Sequence, residues 1–329
     1  MRGGPLIPVT KSHSRAAYQA ALGGAAFFDG SHLTRIEHRG ADALDLLHRL
    51  STNDLLSLGE GGVRRTVITT AEARIVDVVT VVRRKGRPIL LIGSAGAAQR
   101  LLEWLDKFTF AEDSEPRDRS SELAQLTLVG PESPRMIASL AGAEDLVLPG
   151  GACGEIAGNL VVARTDALGI PVIELVSQQA SVGDLARELE KSGAVAADRA
   201  AWDALRVARG APEWGSELDE RVNPHEANLN GLIDFQKGCY VGQEVVARLD
   251  TYDKVQRRLV TVRCDTPLVS GAALAAEGRK VGEVRTVAAP EILDAHVALA
   301  FVRRGHWDPG TRLAVAGGGN AAVVSLPLA

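Results

Sequence analysis

Lys237-Gly238-Cys239-Tyr240-Val241-Gly242-Gln243-Glu244 is the stretch on which the reading of this 329-residue chain turns. It sets a thiol two residues from an ammonium, between two glycines, with an amide and a carboxylate close behind. A thiol acts as nucleophile or ligand only as thiolate, and a neighbouring cation favours that form. Gly238 and Gly242 free the backbone for positive φ and close approach. Gln243 and Glu244 cap or orient whatever follows; if they open a helix or strand, Cys239 stands at an element start and not inside a core. Cys239 and Lys237 are therefore the candidate chemical pair. Cys153 and Cys264 lie on apolar stretches and read as small buried hydrophobes.

Outside this stretch the chain is compositionally ordinary. At 329 residues it suits two or three packed units, and 46% hydrophobic with 24% charged residues fits a globular protein. A net charge of −4 gives no bulk electrostatic case for nucleic-acid binding, and none is expected. Three cysteines leave one unpaired in any disulfide scheme, which suits a reducing cytosol. No Cys-x-x-Cys or clustered His/Cys spacing exists, so no metal site is expected. The first fifteen residues carry Arg2, Lys11 and Arg15 with Pro5 and Pro8 but no apolar segment. That is neither a signal peptide nor a membrane span, and residues 1–20 read as a flexible tail in a cytoplasmic protein.

Apolar spacing predicts helices over 41–50, 97–108, 181–192 and 200–209. Runs at 65–70 and 74–83 read as a hairpin, and 89–93, 123–129, 159–164 and 171–176 as further strands. Helices interleaved with hairpin-joined strands argue for an α+β fold, and no Gly-x-Gly-x-x-Gly follows a strand. Beyond Arg248 the helical period vanishes. Short strands separated by Glu277-Gly278-Arg279-Lys280 and Gly317-Gly318-Gly319-Asn320 turns suggest a small β-barrel over 248–329. The basic residues of that region, among them Arg257, Arg258 and Arg263, read as a solvated face.

Asp77 is the second signal. It interrupts the apolar run Ile75-Val76-Asp77-Val78-Val79, where a carboxylate either faces outward or has a partner. Arg206, within Leu205–Gly210, is either a helix-surface arginine or a bidentate site for a carboxylate.

The octapeptide closely resembles the signature of the YgfZ-type folate-binding proteins, Lys-Gly-Cys-aromatic-x-Gly-Gln-Glu. That family is related to the T-protein of the glycine cleavage system, an aminomethyltransferase. Weaker matches extend the resemblance: Gly40-Ala41-Asp42-Ala43 with Ser51-Thr52-Asn53-Asp54, then Pro224-His225-Glu226-Ala227-Asn228-Leu229, then Val281-Gly282-Glu283-Val284 to Pro327. The resemblance implies a T-protein-like folate-binding region of two α+β subdomains around a central channel, over 21–247, then the barrel. It implies tetrahydrofolate or a one-carbon derivative as cofactor, with Asp77, Arg206, Asn53 and Arg164 as contacts. Lys237 and Cys239 would carry the chemistry, supported by Gly238, Tyr240, Gly242, Gln243 and Glu244. The implied role is assistance in assembly or repair of iron–sulfur clusters, with client enzymes or cluster-assembly proteins as partners.

Three departures bear on activity. Val78 stands where the transferases carry a second aspartate, and Asp166-Ala167-Leu168 replaces most of their Arg-Thr-Gly-Tyr-Thr-Gly-Glu run. Glu174 corresponds to a strand position and not to the missing acidic ligand, and Ala208 replaces a glutamate. The expectation is little or no aminomethyl transfer, although a folate-dependent one-carbon transferase is the alternative. A third class is an interaction protein or tRNA-modification adaptor with no cofactor.

Overall fold

The computed structural model describes residues 11–143, 148–156 and 160–328. The chain opens with α1 (Lys11–Gly23), β1 (Ala26–Asp29), β2 (Thr34–Arg39) and α2 (Ala43–Leu50). There follow the meander β3 (Gly62–Thr69), β4 (Ile75–Arg83) and β5 (Ile89–Gly93), then α3 (Ala98–Lys107) and β6 (Glu115–Asp118). The second half of the N-terminal region holds β7 (Leu123–Val129), α4 (Ser133–Leu140), β8 (Cys153–Ile156), β9 (Leu160–Arg164) and β10 (Val172–Gln178). It ends with α5 (Val182–Lys191), β11 (Val195–Ala197), α6 (Arg199–Arg209) and α7 (Gln243–Thr251). The last unit comprises β12 (Arg257–Cys264), β13 (Ala273–Ala276), β14 (Arg279–Val287), α8 (Pro290–Leu293), β15 (His296–Arg303), β16 (Arg312–Val315) and β17 (Asn320–Val323).

These strands make two sheets and a barrel. One sheet runs β3-β4-β5-β2-β6, the other β11-β1-β7-β10-β9-β8, and the closed barrel is β12-β15-β14-β13-β16-β17. Among the described residues, β1–β11 is the one parallel strand pair. Strand alternation sorts the residues of each sheet by face. On β4, Val79 and Val81 pack outward with Leu47 of α2 and Leu101 and Leu105 of α3. On β10, Ile173 and Leu175 pack outward with Met136 of α4 and Leu189 of α5. Val82, Ile92, Val161 and Val176 meet between the sheets. The result is helices, sheet, sheet, helices, with the inner faces turned toward each other.

The expected α+β region and C-terminal barrel are both present. The expected flexible tail over 1–20 is corrected for residues 11–20: α1 begins at Lys11 and buries Ala17, Tyr18 and Ala21 in the core shared with α6 and the barrel. The early prolines precede that helix, so they do not interrupt its apolar spacing. Residues 1–10 lie outside the described residues. Both proposed hairpin turns occur, with Glu277 and Gly278 at φ 50° and 74° and Gly317–Gly319 at 98°, 111° and 89°. Among the described residues no helix is long and apolar enough to cross a membrane.

Candidate functional site

A cavity of about 740 Å³ opens between the inner faces of the two sheets. Arg65 of β3, Val78 and Thr80 of β4 and Glu174 of β10 line it, with Arg206 and Arg209 of α6 and Trp214 beyond. Register explains the set. Arg65 pairs with Thr80 across β3–β4, and Val172, Glu174 and Val176 share the inner face of β10. Glu174 Oε2 accepts hydrogen bonds from Gln125 Nε2 and Thr127 Oγ1, both at 2.7 Å. Burial pushes the Glu174 carboxyl above its ordinary range, opposed by those two bonds and the charge of Arg65. Burial lowers the pKa of Arg65 in turn, which Glu174 opposes.

The sequence reading sets Glu174 aside as a strand position; the structure corrects this by placing it, on β10, in the cavity wall. The signal was available, because Val172-Ile173-Glu174-Leu175-Val176 interrupts an apolar strand in the same way as the run around Asp77. Asp77 is different. Alternation puts it on the outer face of β4 with Val79 and Val81, fully buried, while Val78 takes the cavity wall. Its oxygens accept from Ser94 Oγ at 2.5 Å, Ser94 N at 3.0 Å and Val78 N at 2.9 Å, with Arg100 at 3.8 Å. Burial raises its pKa, with the Ser94 bonds opposing. A Cβ on Gly93 would lie 2.8 Å from Asp77 Oδ2, so Gly93 permits this close packing. Asp77 braces the wall from behind and does not face the cavity.

The other expected contacts are also engaged in the scaffold. Asn53 reaches the cavity, but its Nδ2 donates to Arg65 O at 2.9 Å and its Oδ1 accepts from Asp54 N. Arg164 binds Asp166 through two nitrogens and Leu148 O through a third, and it is not among the cavity-lining residues. Arg206, almost fully buried, is bound to the scaffold through each of its nitrogens: Nε to Asp203 at 2.6 Å, Nη1 to Glu217 at 2.7 Å, Nη2 to Thr286 Oγ1 at 2.7 Å. Arg209, one turn onward, has neither hydrogen bond nor ion pair among the described residues.

Cys239 stands apart from this cavity. It is exposed on the loop before α7, whereas Cys264 is buried and Cys153 half-buried. The loop is pinned at both ends. Lys237 Nζ donates to the carbonyls of His48, Ser51 and Asn53 at 2.5, 2.7 and 2.9 Å, closing the C-terminal end of α2. Burial brings its pKa down to about 8. The expected role of Lys237 as a stabiliser of the Cys239 thiolate is thus corrected: all three ammonium bonds go to main-chain oxygens. Val241 N donates to Arg49 O and Val241 O accepts from Thr69 Oγ1. Gly242 sits at φ 88°, and a Cβ there would meet Thr70 O at 2.4 Å. Gly238 has open space around it, and nothing in the fold demands glycine there. Tyr240 is buried and its hydroxyl is pushed up to about 12 by that burial. Of the two elements the sequence allowed here, Gln243 opens a helix, α7, and neither it nor Glu244 caps that helix through a side chain.

Sequence families divide the chain where the fold does. Residues 9–237 match the GCVT N-terminal domain and residues 257–328 match the glycine cleavage T-protein C-terminal barrel domain. The chain belongs to the glycine cleavage T-protein family. This is a folate-dependent, aminomethyltransferase-like family. An aminomethyltransferase of Streptomyces avermitilis is 30% identical over 323 residues, 93% of this chain and 85% of that protein. One of Symbiobacterium thermophilum is 28% identical over 328 residues, 95% and 88% of the two chains. A chloroplastic protein of Arabidopsis thaliana with a provisional transferase name is 29% identical over 299 residues, 88% and 67%. The crystal structure of glycine cleavage system aminomethyltransferase T from Bartonella henselae superposes with a TM-score of 0.84 at 23% identity. That match covers 95% of this chain and 89% of that one, and establishes a T-protein fold. Gly238–Glu244 falls between the two matched family regions.

Proposed function

We propose that this T-protein family member is of the YgfZ type: it holds a reduced folate between its sheets and presents Cys239 to iron–sulfur client or assembly proteins. The observation that carries this reading is the separation of the thiol from the cavity. Cys239 is exposed on a loop anchored by Lys237 and Gly242, a placement suited to a macromolecular partner and not to the folate. A reducing cytosol suits a lone exposed thiol.

The cavity fits a reduced folate by its chemistry. Glu174 offers a carboxylate fixed by Gln125 and Thr127 to the N–H edge of a pterin, and Arg209 offers an unpaired guanidinium to the carboxylates of the glutamate tail. Bound tetrahydrofolate supplies a carrier for a one-carbon unit. What the chain itself contributes is orientation: the two sheets enclose the pterin, and α6 fixes the tail end. Calorimetry with tetrahydrofolate tests this. Glu174→Ala should weaken binding by about 1–3 kcal/mol, roughly fivefold to 150-fold. Equal affinity in wild type and variant would remove the pterin from that wall.

A second reading, aminomethyl transfer, is favoured by the names of the relatives from Streptomyces and Symbiobacterium. Asp77 faces α3 and not the cavity, which weighs against it. Turnover with an aminomethyl-bearing lipoyl carrier protein would promote this reading. Loss of iron–sulfur enzyme activity in cells carrying Cys239→Ala, at normal protein abundance, would support the first.

A further inference from the structure

We propose that Arg65 makes the cavity selective for the 2-amino-4-oxo form of a pteridine over its 4-amino counterpart, by donating to the ring's C4 oxygen. The inference rests on the reduced-folate reading and deepens it. Three observations carry it. First, Arg65 lines the cavity from β3 while Glu174 lines it from β10, so a cation and a carboxylate face one space from opposite sheets. Second, the Arg65 guanidinium has neither hydrogen bond nor ion pair among the described residues. Of the other arginines lining the cavity, Arg64 is occupied by Asp54 O and Ser57, Arg199 by Asp203 and Glu213, and Arg206 by Asp203 and Glu217, whereas Arg209, on α6, is the second guanidinium with no such partner among the described residues. Third, the backbone under Arg65 is fixed, because Asn53 Nδ2 holds its carbonyl and Thr80 pairs with it across the ladder.

An unpaired guanidinium in a half-buried wall is a demand for an acceptor. Glu174 makes the opposite demand. Gln125 and Thr127 both donate to its Oε2, which leaves Oε1 to accept from a ligand. A ring edge that sets N–H groups beside a carbonyl satisfies both walls at once. The N3–H and 2-amino group of a 4-oxo pteridine face Glu174 while O4 faces Arg65. In a 4-amino pteridine the oxygen becomes an NH₂ donor and N3 loses its hydrogen. Donor then meets donor at Arg65, and a lone pair meets a carboxylate at Glu174. Sites built to bond a polar group reject analogues that leave their own groups unpaired. The mutual effect of Arg65 and Glu174 on each other's protonation accords with their sharing this space.

The same 2-amino-4-oxo edge occurs in guanine, so the test has three ligands: tetrahydrofolate, its 4-amino analogue and guanosine. Their dissociation constants are measured by calorimetry on the full chain and on Arg65→Met, with Arg65→Lys as a variant that keeps the charge but loses the fork. Circular dichroism melting confirms that each is folded. Wild type should prefer tetrahydrofolate over the 4-amino analogue at least tenfold. Arg65→Met should reduce that preference to below about threefold, chiefly by weakening tetrahydrofolate, with Arg65→Lys between the two. An unchanged preference in both variants overturns the role of Arg65 and leaves the folate reading standing. Guanosine binding that depends on Arg65, without tetrahydrofolate binding, would keep Arg65 as the O4 donor and overturn the folate reading. Wild type that binds none of the three overturns both.

Discussion

A buried ammonium with three carbonyl partners is the pivot of the loop that carries Cys239. The helix α2 ends with unsatisfied carbonyls, and Lys237 supplies donors to that end from almost two hundred residues away in sequence. Its pKa falls from the ordinary 10.5 to about 8 because burial disfavours the charge. Between about pH 8 and 10.5 the unfolded chain holds a proton that the folded chain gives up. The penalty of burying this charge is therefore complete below about pH 8 and is relieved as pH rises through that window. Nuclear magnetic resonance of lysine side chains should show one resonance titrating near 8, lost in Lys237→Met. That variant should be less stable by about 1–3 kcal/mol, from carbonyls left without a donor. The thiols should differ as well. Burial pushes Cys153 up to about 11, and Cys264 is buried, so alkylation near neutral pH, read by peptide mass spectrometry, should label exposed Cys239 first. Residue chemistry was legible in the sequence only as residue type. That Cys239 is accessible followed from its setting, but where Lys237 and Arg206 point depends on partners remote in the chain, at positions 48–53 and 286.

Elements were more legible than contacts, because apolar period is a local property. The strands Ile89–Gly93 and Leu123–Val129 coincide with their apolar runs, and α2, α3, α5 and α6 follow their helical spacing within two residues at either end. What escaped is of two kinds: β1, β6, β11 and β13 have three or four residues, too few for alternation to register, while α1, α4 and β2 are longer, and α1 falls in the stretch read as a tail. Gln243-Glu244-Val245-Val246 suits helix or strand equally, so its sequence does not decide α7. The two glycines of the octapeptide separate structure from function at this scale. Gly242→Ala forces a side chain onto Thr70 O at positive φ and should cost about 1–3 kcal/mol. Gly238→Ala meets open space and should change stability by less than about 0.5 kcal/mol. Chemical denaturation measures both. Equal losses would mean that the loop is held differently from the arrangement described here.

At the scale of the molecule, the cavity exists because two sheets turn their inner faces together, and α6 ties that pair to the barrel. Thr261 Oγ1 of β12 donates to Val207 O, and Leu259 N of the same strand donates to Glu226 O. Arg206 is the charged part of this tie, joining Asp203 of its own helix to Glu217 and to Thr286 of β14. The domain plan could be read from composition and turn residues, whereas the assignment of one α6 arginine to the scaffold and its neighbour to the cavity required the packed structure. Paired variants make the distinction measurable. Arg206→Gln leaves the Glu217 carboxylate buried without its ion pair and should lower stability by about 3–5 kcal/mol. Tetrahydrofolate affinity of the molecules that remain folded should stay within about threefold of wild type, since all three nitrogens of that guanidinium are already bound to scaffold acceptors. Arg209→Gln should do the reverse. It breaks no ion pair among the described residues, so the melting temperature should hold, while affinity falls roughly tenfold or more through loss of a charged hydrogen bond to the tail carboxylate. Tetrahydropteroate, which lacks the glutamate, should bind wild type and Arg209→Gln alike. If Arg209→Gln weakens both ligands equally, the guanidinium acts on the pterin and not on the tail, and the orientation of the folate in the cavity is the opposite of the one drawn here.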